Sequence, residues 1–157
     1  MLAKAVIPYF EELIARWEQY LIIVDIDGTL VPDEHAAEVN SQVIDQLRRL
    51  GSRNQVVLCS NGGYQARNKK IAAAAGVALL ETSHRKPSGK IKNDFPPHNG
   101  KIVVIGDKFL TDFLFAKNIG AAFILVRRHV SGHERLSVKC INAIDDVIHE
   151  LYQLFIK

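Results

Sequence analysis

The sequence predicts an α/β fold: a doubly wound, Rossmann-like sheet of five parallel strands with helices on both faces. Short runs rich in Val, Ile and Leu alternate with longer segments of helical apolar periodicity, an alternation that is typical of βαβ units. Polar residues follow the apolar runs. Because ligands of such sheets bind at the carboxyl ends of the strands, we expect a functional site at that edge.

The predicted strands are short and apolar, as expected of strands that are buried on both faces of a parallel sheet. The first is the most uniform, with the sequence Leu21-Ile22-Ile23-Val24 at its centre. In chain order the predicted strands are 21–26, 55–59, 77–80, 101–106 and 121–126.

Apolar residues at helical spacing predict five helices. In chain order these are 4–19 (within an N-terminal helical region 1–20), 39–50, 63–75, 110–118 and 138–155 (within a C-terminal region 138–157). Gly51, Gly76 and Gly120 are predicted to end three of them. Prolines and glycines in 86–100 leave room for a short helix only. In the last helix, one face collects Ile141, Ile144, Val147, Ile148, Leu151 and Phe155.

Composition limits the classes of protein to which the chain can belong. A hydrophobic content of 48% suffices for one core, so we expect a single domain over 1–157. The net charge of +3 argues against general nucleic-acid binding. No apolar stretch reaches the ~18 residues that span a bilayer, and glutamates interrupt 1–20 where a signal peptide would be apolar. Two cysteines form no disulfide framework, which predicts a reducing, cytoplasmic location.

Two aspartates, Asp25 and Asp27, lie one residue apart at the end of the first predicted strand. Carboxylates this close repel each other unless a cation lies between them. Their oxygens are hard ligands of the kind that Mg²⁺ prefers. The pair therefore predicts a metal site and, with it, phosphoryl or hydrolytic chemistry.

Other strand ends carry groups that suit phosphomonoester hydrolysis, and the sheet would bring them to one crevice. Asp25 can attack phosphorus. Asp27 can protonate the leaving oxygen and later deprotonate water, while its backbone carbonyl is a candidate metal ligand. Asp107, after the fourth strand, can complete the metal site with Asp25. Lys86 can neutralise charge on the nucleophile and the phosphate.

Three further residues are predicted to bind phosphoryl oxygens, namely Ser60, Asn61 and Gly28. Asp112 lies five residues after Asp107. It can orient Lys86 or bind the metal through water.

Taken in order, these motifs resemble those of the haloacid dehalogenase (HAD) superfamily. Asp25-Ile-Asp-Gly-Thr matches its first motif, Ser60 its second, Lys86 its third and Gly106-Asp107 with Asp112 its fourth. The resemblance implies Mg²⁺-dependent catalysis through an aspartyl-phosphate on Asp25, with strand order 3-2-1-4-5. It also implies a phosphatase rather than a dehalogenase, because dehalogenases of the superfamily lack the second aspartate. The short spacings between motifs leave no room for a cap domain.

The stretch from Ile105 to Val126 is similar to the phosphatidylglycerophosphate phosphatase branch of the superfamily, as are Ser60-Asn61 and Lys86-Pro87. Gly28 departs from that branch, which usually has Asn at this position. The similarity implies a phosphorylated lipid substrate, while the open site leaves sugar phosphates, nucleotides and phosphoproteins as alternatives. Arg127 and Arg128 follow the fifth strand and are predicted to form a basic collar for an anionic substrate or lipid surface. We expect a peripheral membrane association or a homo-oligomer to cover the site.

Two interpretations outside the phosphatases fit the sequence less well. A signalling receiver domain also uses Asp, Lys and Mg²⁺, but it has its phosphoacceptor on the third strand, and here that strand is followed by Glu81-Thr82-Ser83. A non-catalytic phosphate-binding module is expected to lose Asp25 or Asp27, and both are present. The sequence thus favours an enzyme.

Overall fold

The computed structural model describes residues 7–155, and it confirms the predicted sheet. The strands are β1 (Leu21–Val24), β2 (Gln55–Leu58), β3 (Ala78–Leu79), β4 (Ile102–Gly106) and β5 (Ala122–Leu125). All neighbouring strands are parallel, in the order β3-β2-β1-β4-β5. Because β1 is central, the residues that follow β1, β2 and β4 meet at the middle of the carboxyl edge.

The helices are α1 (Ser41–Gly51), α2 (Gln65–Ala75), α3 (Leu114–Ile119) and α4 (Leu136–Phe155). Left-handed Gly76 and Gly120 end α2 and α3, as predicted. Gly51 was expected to end the second helix, but α1 includes it, because Ser52 continues in the right-handed helical conformation and its N–H bonds to the Arg48 carbonyl. The short helix expected within 86–100 is a 3₁₀ helix, Gly89–Asp94.

Alternate residues of β1 point to opposite faces of the sheet. Ile22 and Val24 pack in a core cluster that includes Leu47 of α1 and Ile71 of α2. On the other face, Leu21 and Ile23 pack in a cluster with Phe115, Ala116 and Ile119 of α3. The two clusters confirm that helices cover both faces.

The N-terminal helix predicted at 4–19 is wrong for the residues that the structure describes, and its first residues lie outside them. From residue 7 onward the only helical turn before β1 is a 3₁₀ turn, Phe10–Glu12. Phe10 and Leu13 are buried while Ile14 is exposed. The Leu13 carbonyl accepts hydrogen bonds from the side chains of Gln46 and Arg49. Contacts with α1 therefore take the place of helical hydrogen bonds.

The predicted C-terminal helix is confirmed, but most of the apolar face predicted for it is exposed. α4 packs on a π-helical turn, Phe109–Phe113, through Asp145 and Tyr152. Leu136, Ile141, Ile144, Val147, Leu151 and Leu154 are all exposed. No helix within residues 7–155 has both the length and the hydrophobicity that a membrane crossing requires.

Candidate active site

Three side chains from three different motifs meet at the end of β1. The Lys86 ammonium donates to one carboxylate oxygen of Asp25 and, at 2.6 Å, to one of Asp112. Burial alone would lower the pKa of Lys86, but the carboxylates of Asp112 and Asp25 outweigh it and raise that pKa. Lys86 therefore remains charged, as a group that neutralises an anionic nucleophile must.

Asp112 is fully buried beside this lysine. Burial raises its pKa to about 7, and the neighbouring carboxylates of Asp25 and Asp107 act in the same direction, whereas Lys86 opposes the shift. The structure thus places Asp112 where the sequence expected it to orient Lys86.

Asp27 is held by partners from the β2 end and from α2. The Ser60 hydroxyl donates to one of its oxygens at 2.5 Å, and the Arg67 guanidinium pairs with the other. Arg67 also donates to the Glu34 carbonyl at 2.6 Å. Sequence reasoning missed Arg67, since a basic residue near the start of a helix gives no signal of its own.

Asn61 forms two hydrogen bonds with the backbone of Lys86. Its amide nitrogen donates to the Lys86 carbonyl at 2.9 Å, and its amide oxygen accepts from the Lys86 N–H at 2.8 Å. The predicted phosphate-binding residue Asn61 therefore also fixes the lysine loop.

Three buried carboxylates form a cluster that suits a divalent cation. One oxygen from each of Asp25, Asp107 and Asp112 lies within 4.8 Å of the others. Burial raises the pKa of Asp107, an effect that Lys108 and Arg128 oppose. Such a group of buried carboxylate oxygens fits Mg²⁺, which prefers hard oxygen ligands. The Asp27 carbonyl, predicted as a further ligand, accepts a hydrogen bond from Lys108 at 3.0 Å.

Gly28 and Thr29 lie in direct contact with this carboxylate cluster. Gly28 has φ +90°, and a Cβ built on it would lie 2.5 Å from an oxygen of Asp107, so only glycine allows the loop this close to the carboxylate. The buried Thr29 hydroxyl lies 3.0 Å from Asp107 and 3.2 Å from Asp25. Thr29 was not singled out from the sequence, although it stands inside the first motif.

The two arginines of the predicted collar have different surroundings. Arg128 donates to Asp107 at 2.6 Å and to Asp146 at 3.0 Å, so it is engaged within the site. Arg127 is exposed, and its guanidinium carbon lies 5.0 Å from the centre of the Tyr9 ring.

Asp145 of α4 is a positioning residue that sequence reasoning missed. It is buried and accepts hydrogen bonds from the N–H groups of Phe109 and Leu110 at 2.8 and 2.7 Å. These groups begin the π-helical turn that carries Asp112. A lone acidic residue in a helix pattern gives no hint of such a contact.

The side chains predicted to be catalytic, Asp25, Asp27 and Lys86, line a cavity of about 210 Å³ at the carboxyl edge of the sheet. One wall carries Asp25, Asp27 and Lys86 with Asn61 and Gly62. Another part of the wall is formed by Val138, Ile141 and Asn142 of α4. Of the predicted site residues, Asp25, Asp27, Asn61 and Lys86 line this cavity directly.

Comparisons with known proteins bear on both the fold and the family. No curated protein matches the chain. A chain in a structure described as the Pnkp1/Rnl/Hen1 RNA repair complex superposes with a TM-score of 0.50 at 14% identity, over 82% of this chain and 48% of that one. A second structure of a Pnkp1/Rnl/Hen1 complex gives a TM-score of 0.49 at 14% identity, over 74% and 48%. The chain spans about half the length of these solved chains, and the first likeness shows a shared fold alone.

A family model is more specific. Residues 7–131 match the model described as mitochondrial PGP phosphatase, and this range includes all four motifs. The chain therefore belongs to the mitochondrial PGP phosphatase family, a family of HAD-type phosphatases.

Proposed function

We propose that the protein is a Mg²⁺-dependent phosphomonoester hydrolase that acts through an aspartyl-phosphate on Asp25, with phosphatidylglycerophosphate as its substrate. The observation that carries this proposal is the cluster of three buried carboxylates beside Lys86, of which Asp25 lines an open cavity together with Lys86. Family membership supports the same reaction class.

In the first half of the reaction, an oxygen of Asp25 forms a bond to phosphorus as the bond to the leaving oxygen breaks. Asp27 supplies a proton to that oxygen. In the second half, Asp27 takes a proton from water, and the hydroxide attacks the aspartyl-phosphate to release phosphate and restore Asp25. Ser60 and Arg67 contact the two oxygens of Asp27 and orient its carboxyl group.

Neighbouring groups neutralise the negative charge of the nucleophile and of the phosphate. Asp25, Asp107 and Asp112 present the oxygens that would hold Mg²⁺, and the bound ion supplies neutralisation of charge between nucleophile and phosphate. Lys86 donates to Asp25 and can also meet a phosphoryl oxygen.

The substrate assignment rests on the family and on the openness of the site. Residues 7–155 contain no inserted domain between β1 and α1 or between β2 and β3 that could cover the cavity. A lipid phosphate presented by a membrane fits such a site, and we propose that the protein works at the periphery of a membrane. Both cysteines are free thiols, which supports the proposal of a reducing, cytoplasmic location.

The test is phosphate release from a panel of substrates, with and without EDTA. The panel contains phosphatidylglycerophosphate in mixed micelles, a sugar phosphate, a nucleotide and p-nitrophenyl phosphate. We expect turnover of the lipid that EDTA abolishes and Mg²⁺ restores. If the enzyme hydrolyses a soluble member of the panel with kcat/KM above ~10⁴ M⁻¹s⁻¹ and does not hydrolyse the lipid, the proposed substrate is wrong. The assignment as a phosphatase would still stand. No turnover of any member would contradict the proposal as a whole.

A further inference from the structure

The face of α4 that points away from the protein is apolar along its whole described length. Six large apolar side chains on it are between 49% and 76% exposed: Leu136, Ile141, Ile144, Val147, Leu151 and Leu154. At about 100° per residue they fall, with Cys140 and Ile148, in an arc of about 140° that contains no charged residue. We call these six residues the α4 stripe. Contiguous exposed apolar surface of this kind marks an interaction site.

The α4 stripe runs into the catalytic cavity. Ile141 is 54% exposed and also lines the cavity, together with Val138 and the catalytic residues Asp25 and Asp27. A partner that covers the stripe therefore reaches the mouth of the active site. This continuity ties the occupant of the stripe to the substrate.

The size of the cavity indicates which occupant fits. At about 210 Å³ it is smaller than the ~300–1,000 Å³ of typical ligand pockets. It can receive a phosphorylated headgroup but not the acyl chains of a lipid, so the chains must stay in apolar surroundings just outside the mouth. A bilayer in contact with the stripe provides those surroundings, whereas a second protein copy there would close the mouth.

We propose that the α4 stripe docks on a lipid bilayer, with α4 lying in the plane of the interface and the catalytic cavity facing the headgroups. The proposal rests on the lipid substrate proposed above. α4 carries three acidic residues and one basic residue, so we expect apolar contact rather than charge to supply most of the binding.

The test uses the full chain and vesicles of phosphatidylcholine with phosphatidylglycerol. The variant Ile144→Ser/Val147→Ser/Leu151→Ser changes three exposed residues outside the cavity. Its matched control, Ala143→Ser/Glu150→Gln/Gln153→Ser, changes three residues on the polar side of the same helix. We expect the stripe variant to bind vesicles at least about tenfold more weakly than wild type, given the apolar area removed. The control is expected to bind like wild type.

Turnover separates docking from chemistry. The stripe variant should lose turnover of phosphatidylglycerophosphate in vesicles but keep its kcat/KM for p-nitrophenyl phosphate within about twofold, because none of the three residues lines the catalytic cavity. Vesicle binding equal to wild type would overturn the proposal. The proposal would also be overturned if the wild-type protein is an oligomer that does not bind vesicles and the stripe variant is a monomer. That result would show that the stripe is an interface between copies. If vesicle binding depends on the stripe but the lipid is not hydrolysed, docking on a bilayer is supported and only the assignment of phosphatidylglycerophosphate as the substrate is contradicted.

Discussion

Two parts of the wall of the catalytic cavity differ in the chemistry of their side chains. The wall at the strand ends consists of buried charged groups, with Asp25 and Lys86 paired and Asp27 held by Ser60 and Arg67. The wall formed by α4 consists of apolar side chains and one amide, and Ile141 on it is exposed to solvent.

This difference suggests a division of roles, in which the strand wall serves the reaction at phosphorus and the α4 wall serves the choice of substrate. The strand wall stabilises charge that every phosphomonoester develops, whatever its alcohol, so its geometry follows from the fold. The α4 wall carries no charged side chain, so in the proposed reaction it acts on the leaving alcohol and on the surroundings of that alcohol. Substitutions in the strand wall should therefore affect all substrates, and substitutions in the α4 wall only some.

The largest effect is expected from Asp25→Asn. A carboxamide is a poor nucleophile and a weak metal ligand, so turnover should fall by more than the ~10²–10³-fold that a single electrostatic donor contributes. The loss should be equal for phosphatidylglycerophosphate and p-nitrophenyl phosphate, measured as released phosphate. Circular dichroism should show a folded protein. Retention of more than about a tenth of the activity would contradict a covalent role.

The next largest effect is expected from Asp27→Asn, and it should depend on the leaving group. Turnover of alkyl phosphates should fall by the ~10²–10⁴-fold typical of lost acid–base catalysis. p-Nitrophenyl phosphate has a leaving group that needs less protonation, so its loss should be smaller. Equal losses would indicate that Asp27 acts mainly by supporting the metal site.

Asp145 joins the two walls, and its removal should have an intermediate effect. Asp145→Ala leaves the buried N–H group of Phe109 and the partly buried N–H group of Leu110 without their acceptor. We expect the free energy of unfolding to fall by about 1–3 kcal/mol, as measured by urea denaturation. Activity toward soluble and lipid substrates should fall together, because the turn that carries Asp112 loosens.

The neighbouring Asp146 provides the matched control. Asp146 is exposed and pairs only with Arg128 at 3.0 Å, so Asp146→Ala should cost about 0–1 kcal/mol. Equal destabilisation by the two substitutions would contradict the positioning role of Asp145.

The smallest effect is expected at the predicted basic collar. Arg127→Ala should weaken binding to anionic vesicles by no more than the ~1 kcal/mol of one surface cation, with a flatter salt dependence. Hydrolysis of p-nitrophenyl phosphate should not change. Arg128→Ala should instead slow the soluble reaction as well, because Arg128 holds Asp107. If the two variants behave alike, the division between collar and site is wrong.

Much of this protein could be predicted from the sequence, because local signals and motif spacing carry the information. Apolar runs and glycine helix ends determined the strands and most of the helices. The strand order followed from the resemblance to the HAD superfamily, and parallel strands bring Asp25, Asp27, Lys86 and Asp107 to one edge because they place their carboxyl ends together. That placement accounts for Asp25 and Asp107 in the carboxylate cluster, whereas the third member is Asp112 of the π-helical turn and not the side chain of Asp27, which the sequence predicted as a metal ligand.

The tertiary structure alone decided where the two terminal segments lie. Both have helical apolar periodicity, yet the segment before β1 is not an α-helix in the structure. There the Leu13 carbonyl accepts hydrogen bonds from side chains of α1 instead of a helical N–H group. α4 keeps its helix but packs through Asp145 and Tyr152, leaving its apolar stripe outside. Periodicity shows which residues share a face, but not which surface that face meets. That depends on contacts between residues far apart in the chain, as do the partners of Arg67, Arg128 and Asp145.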